Sequence, residues 1–214
     1  MDDRSTAVSP AADERFDRLA GASALAAAAL SLIYALAFVV LKSDQIAAGA
    51  LMAGGLFSAV ALLGVYGWVR AAGRLAVVGL VFGLVGTMGA AIHGAYDLAV
   101  ILGPTTDVPA IFPGPVAGPN PVDPRGFLTF GVAGLGVLLL SWAGSTVRGF
   151  PRLLVYLGAV LGLLLVVIYL GRLYILDANN PLVLGPAAIT GVIVSPLWYA
   201  WMGWLLLKRR ASSG

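Results

Sequence analysis

Six apolar runs, at residues 19–41, 46–69, 75–102, 127–147, 153–176 and 182–207, occupy most of the chain. At about 1.5 Å of rise per helical residue, each is long enough to cross the ~30 Å hydrocarbon core of a bilayer. The pattern predicts an all-α fold, a polytopic membrane bundle of six transmembrane helices. Composition agrees, because 60% of the 214 residues are apolar and only 11% are charged, where a soluble domain carries about 25% charge. An ordinary soluble enzyme is excluded.

The chain has no cysteine, which excludes a disulfide framework, a thiolate nucleophile, an iron-sulfur cluster and haem attached through CxxCH. Its formal charge of +3 does not mark a nucleic-acid partner, because the basic residues flank the apolar runs and form no separate patch. Ten of the thirteen lie on one side of the predicted bundle: Arg4, Arg15, Arg18, Arg70, Arg74, Arg148, Arg152, Lys208, Arg209 and Arg210. The positive-inside rule then places both the N- and C-termini in the cytoplasm. Residues 1–18 carry five acids and three arginines and are expected as a flexible cytoplasmic tail. A secretory signal would open with net positive charge and a shorter apolar core. Residues 19–207 form the six-helix domain, and 208–214 a second cytoplasmic tail.

Asp44, Asp123 and Asn180 each stand just before a run, the last two followed by Pro124 and Pro181. That is the chemistry of helix starts, so these polar residues are read as caps. The one long connection, 103–126, contains seven prolines together with Ile111 and Phe112 and cannot be helical. It is either an ordered extracytoplasmic flap or a passive strap. The stretch Val69-Arg70-x-x-x-Arg74-Leu75 recurs as Val147-Arg148-x-x-x-Arg152-Leu153, and Gly79-x-x-x-Gly83 recurs as Gly158-x-x-x-Gly162. His93 and Arg172 follow these glycine pairs at the same distance, which suggests two similar helical hairpins.

Gly79, Gly83, Gly86 and Ala90 give the third helix a smooth face that another helix can approach closely. His93 and Asp97 continue that face, with His93 about 27 Å from the start of its run. Arg172 on the fifth helix reaches a similar height, about 28 Å from Leu153. An ionisable side chain at that depth is costly unless paired or wetted. The sequence therefore predicts a cluster of His93, Asp97 and Arg172 beneath the flap, rimmed by Tyr96, Tyr169, Tyr174, Arg125 and Asp177. Two readings are open. The cluster is a polar pocket in the outer leaflet, or it is a salt bridge locking the third helix to the fifth, with Arg172 snorkelling and the tyrosines forming an aromatic belt.

Catalytic signatures are missing from the sequence. One histidine with Asp97 four residues on does not complete a zinc set, HxxxD is one residue short of the HxxxxD acyltransferase spacing, and neither GxSxG nor HExxH occurs. No metal ligand or catalytic residue is assigned, and no cofactor can be named. Pro186 and Pro196 predict a kink in the sixth helix around 192–195, either structural or a gate. Trp198, Tyr199, Trp201 and Trp204 are read as packing or belt residues.

Residues 120–207 contain Asn120-Pro121-Val122-Asp123-Pro124-Arg125-Gly126, Gly171-Arg172-Leu173-Tyr174-Ile175-Leu176-Asp177 and Pro196-Leu197-Trp198-Tyr199. In these motifs the chain resembles uncharacterised bacterial six-helix integral membrane proteins. The resemblance implies the six-helix fold and a bacterial cytoplasmic (inner) membrane, and it transfers no catalytic residues. The expected function is non-catalytic binding of a small or amphipathic ligand, a lipid headgroup or quinone-like molecule. Arg172 would attract its anionic or carbonyl oxygen and His93 would hydrogen-bond beside it. The alternatives are an accessory subunit of a larger membrane complex and a small-solute transporter using the kinked sixth helix, with membrane-complex subunits or further copies of the chain, as a homo-oligomer, as expected protein partners. The surrounding partner is the lipid bilayer.

Overall fold

The computed structural model describes residues 10–103, 124–175 and 180–208, and these are helical apart from short connections. Helix α1 is Pro10–Leu36 and ends in a π-helical segment, Ala37–Leu41. Helix α2 is Asp44–Val69, closed by a 3-10 turn at Arg70–Ala72, and α3 is Arg74–Leu102. Helix α4 runs over 124–146 with a π-helical segment at Phe127–Val132. Helix α5 is Arg152–Tyr174. Helix α6 covers 181–208, interrupted by a π-helical segment at Thr190–Val194. All six are long and apolar enough to cross a membrane.

Two local expectations need correction. Residues 10–18, expected in a flexible tail, extend α1. Alanine, leucine, arginine and glutamate are good helix formers, and the charged turns lengthen a helix that the apolar span has already nucleated. Asp44, expected as a cap, is the first helical residue; Ser43 occupies the cap position without a side-chain hydrogen bond. Asp44 instead places negative charge in the first turn, where the helix dipole favours it. Asn180 does cap α6, its Oδ1 accepting from the Leu182 amide at 3.0 Å with Pro181 at the first position. The expected flap and the Asp123 cap lie outside the described residues. The expected kink at 192–195 corresponds to the π-helical segment ahead of Pro196, which accommodates the proline by widening one turn.

The helices form a ring in chain order: each packs on the next, and α6 returns to α1. Two tight turns lie at the end that carries the chain termini, and each has a glycine at positive φ, Gly73 (67°) and Gly149 (83°). Only glycine holds that geometry without steric cost. The smooth face of α3 meets α4: a Cβ at Gly86 would run into the Ala133 backbone, and one at Gly136 into that of Gly83. Missing side chains are what allow these two backbones to touch. At the termini end the ring is filled by an apolar core containing Leu62, Leu140, Leu154, Met202 and Leu206, each no more than 1% exposed. Trp198 plugs this core and donates its indole N–H to the Leu154 carbonyl at 3.2 Å. Toward the opposite end the helices leave a space between them.

Candidate functional site

That space is a chamber of about 660 Å³ to which all six helices contribute. Its walls are mostly apolar, with Leu30, Leu51, Ala90, Leu165, Ile168 and Ala187 among them. Each π-helical segment supplies lining: Phe38 and Val39 from α1, Thr129 and Phe130 from α4, Thr190 and Gly191 from α6. A π turn adds a residue to the helical circuit and shifts the side chains beyond it, a device frequent at functional sites. The volume falls within the ~300–1,000 Å³ typical of sites for one small molecule.

Polar groups sit on this wall in two places. Deep in the chamber, Ser31 of α1 donates to Ser195 Oγ of α6 at 2.9 Å. Far from the chain termini, a chain of contacts joins α3 to α4. Arg125 donates to Asp97 Oδ1 at 2.9 Å, Asp97 Oδ2 lies 3.4 Å from His93 Nε2, and His93 Nδ1 meets Thr129 Oγ1 at 3.0 Å. His93 and Thr129 are buried, at 8% and 5% exposure. With Nε2 toward the carboxylate, the tautomer bearing a proton there leaves Nδ1 to accept from the threonine hydroxyl. The i,i+4 spacing places His93 and Asp97 on one helical face. The close approach permitted by Gly83 and Gly86 brings Thr129 and Arg125 across to it.

The predicted residues separate into three groups. His93, Asp97, Arg125 and Arg172 all line the chamber. Arg125, expected only at the rim, is the ion-pair partner of Asp97 and also lies over the Tyr96 ring, 4.6 Å from its centroid. Arg172, expected to join His93 and Asp97, does not pair with them: its guanidinium lies 5.8 Å from the Phe130 ring centroid, and among the described residues no carboxylate stands at salt-bridge distance. The lock between helices therefore ties α3 to α4 rather than to α5. Tyr169 packs on Phe127 with centroids 5.3 Å apart, and Tyr174 is 86% exposed. Neither these tyrosines nor Tyr96 lines the chamber. Asp177 lies outside the described residues.

Sequence reasoning missed Thr129 and Tyr34. Thr129 is a threonine in an apolar run with no pattern of its own, and only the α3–α4 contact makes it the partner of His93. Tyr34, in the last turn of α1 before its π-helical segment, shares the chamber wall with Asp97 and Arg172. Among the described residues no group of three potential metal ligands comes together. Comparison with known protein families, curated proteins and solved structures finds no match. The functional argument rests on the chamber itself.

Proposed function

We propose that this is a multi-pass protein of the bacterial inner membrane that holds one small amphipathic molecule in its chamber, without carrying out chemistry on it. The observation that carries the reading is a space between the six helices with mostly apolar walls and charged groups gathered toward one end. The apolar part of such a ligand gains by leaving water, at about 25 cal/mol per Å² buried. Its polar end meets groups already oriented. Arg172 supplies positive charge, and the Thr129–His93–Asp97–Arg125 chain stiffens the wall beside it. With both termini in the cytoplasm, as the basic bias indicates, this polar end belongs to the outer leaflet. Transport would need a path through the packed core of Leu62, Met202 and Leu206. An accessory-subunit role would leave the chamber without a purpose.

Native mass spectrometry of protein extracted in mild detergent tests the reading. Wild type should retain one amphiphile-sized adduct, or acquire one from an added set of single-chain amphiphiles. Ala90→Trp, which projects an indole into the space, should abolish the adduct with little change in melting temperature. A wild-type protein that neither retains nor acquires an adduct would refute binding.

A further inference from the structure

The charges on the chamber wall do not balance locally, and the imbalance points to the ligand's head. Asp97 is held by Arg125 at 2.9 Å. Asp44 lies in the exposed first turn of α2, where the helix dipole and solvent stabilise it. His93 is engaged with Thr129 and Asp97. Among the described residues, Arg172 is left with an aromatic face: Phe130 at 5.8 Å is near the outer limit of a cation–π contact, about 6 Å. The side chain is only partly exposed, and a guanidinium within a membrane-spanning helix is costly without an anion or water. Its place in the last turn of α5 recovers part of that cost from the helix dipole, but not the fork of hydrogen bonds the group can donate.

The chamber's shape restricts the rest of the molecule. Along α3 its lining runs from Ile101 to Gly83, about 27 Å at 1.5 Å per residue. A space of that length takes an elongated molecule with its head beside Arg172.

Building on the amphiphile reading above, we infer that the ligand is a long-chain carboxylate whose monoanionic head pairs with Arg172. A planar carboxylate matches the planar fork of arginine with two parallel hydrogen bonds. One negative charge neutralises Arg172. A dianionic phosphate would add charge facing Asp97, and a cationic head would face Arg172 and Arg125. A neutral quinone or ester would leave the arginine without its anion.

Competitive binding to the detergent-purified full chain near neutral pH tests this, with palmitate, methyl palmitate, hexadecyl phosphate and hexadecyltrimethylammonium as probes of one chain length. Wild type should prefer palmitate to its methyl ester by about tenfold or more, the range of a charge-assisted hydrogen-bonded pair, and should rank it above the phosphate and the cation. In Arg172→Gln the acid and ester should bind within about twofold of each other, while Arg172→Lys should keep part of the preference. Equal wild-type affinity for acid and ester overturns the carboxylate assignment yet leaves the amphiphile reading intact, as does a first rank for the phosphate or the cation. Failure of every probe to bind wild type overturns both. Should Arg172→Gln not fold, the wild-type ranking still decides.

Discussion

His93 could be found in the sequence as an ionisable residue in an apolar run, but its chemistry depends on Thr129, 36 positions away. That hydroxyl occupies Nδ1 and joins α3 to α4 inside a region with little water to replace it. Thr129→Val keeps the shape and deletes the bond, so it should lower stability by about 1–2 kcal/mol, the cost of breaking one buried polar contact. Thr129→Ser should restore most of the loss. Thermal unfolding of the three proteins in one detergent measures the effect, and a Val variant as stable as wild type would show that the contact contributes nothing. Asp97 and Arg172 show the limit of reading charges by height alone. Helical rise placed them at similar depths, as it placed many other residues, but it could not say which cation turned toward the carboxylate. Arg125 did, because the start of α4 comes up against the C-terminal end of α3.

At the scale of elements, the glycine pattern on α3 was legible as a close-packing face, while its partner was not. Small residues also line parts of α1, α2, α4 and α6, and any of these could have met it. A Cβ at Gly86 would run into the Ala133 backbone, whereas one at Gly49 on α2 would meet nothing within 4 Å. The two sites therefore separate packing from helix propensity. Gly86→Leu should push α3 from α4 and cost about 1–3 kcal/mol or more through overpacking. Gly49→Ala should be neutral or stabilising by up to about 1 kcal/mol, since alanine is the better helix former. Melting temperatures of both variants check this, and similar losses in the two would contradict the packing assigned to α3. The π-helical segments in α1, α4 and α6 were the least legible elements. Only the proline at 196 hinted at one of them, and the other two arise in proline-free stretches where the packing of the ring sets the turn.

For the whole molecule, side is the property most open to test. The basic residues predict that the turn at 147–151 faces the cytoplasm and the turn at 42–43 faces outward. The absence of native cysteine makes single-cysteine labelling free of background. In intact cells, Ser43→Cys should react with a membrane-impermeant maleimide, and Arg148→Cys should react only after the membrane is opened. The reverse pattern would invert the topology and move the charged end of the chamber to the inner leaflet.

The number of spans, their approximate ends and the helical class follow from the chain itself, because a run of some twenty apolar residues has few ways to satisfy its backbone in lipid. The polar residues that matter also stand out, since charges are rare in such runs and costly where they occur. What the tertiary structure alone decided is closure and pairing. Helices of nearly uniform apolarity carry no strong label for their neighbours, and the order of the ring is set by which small-residue faces fit. Closing that ring left a space at one end and a packed core at the other. It gave Asp97 to Arg125, His93 to Thr129, and Arg172 to the chamber, through contacts that form only when six backbones come together.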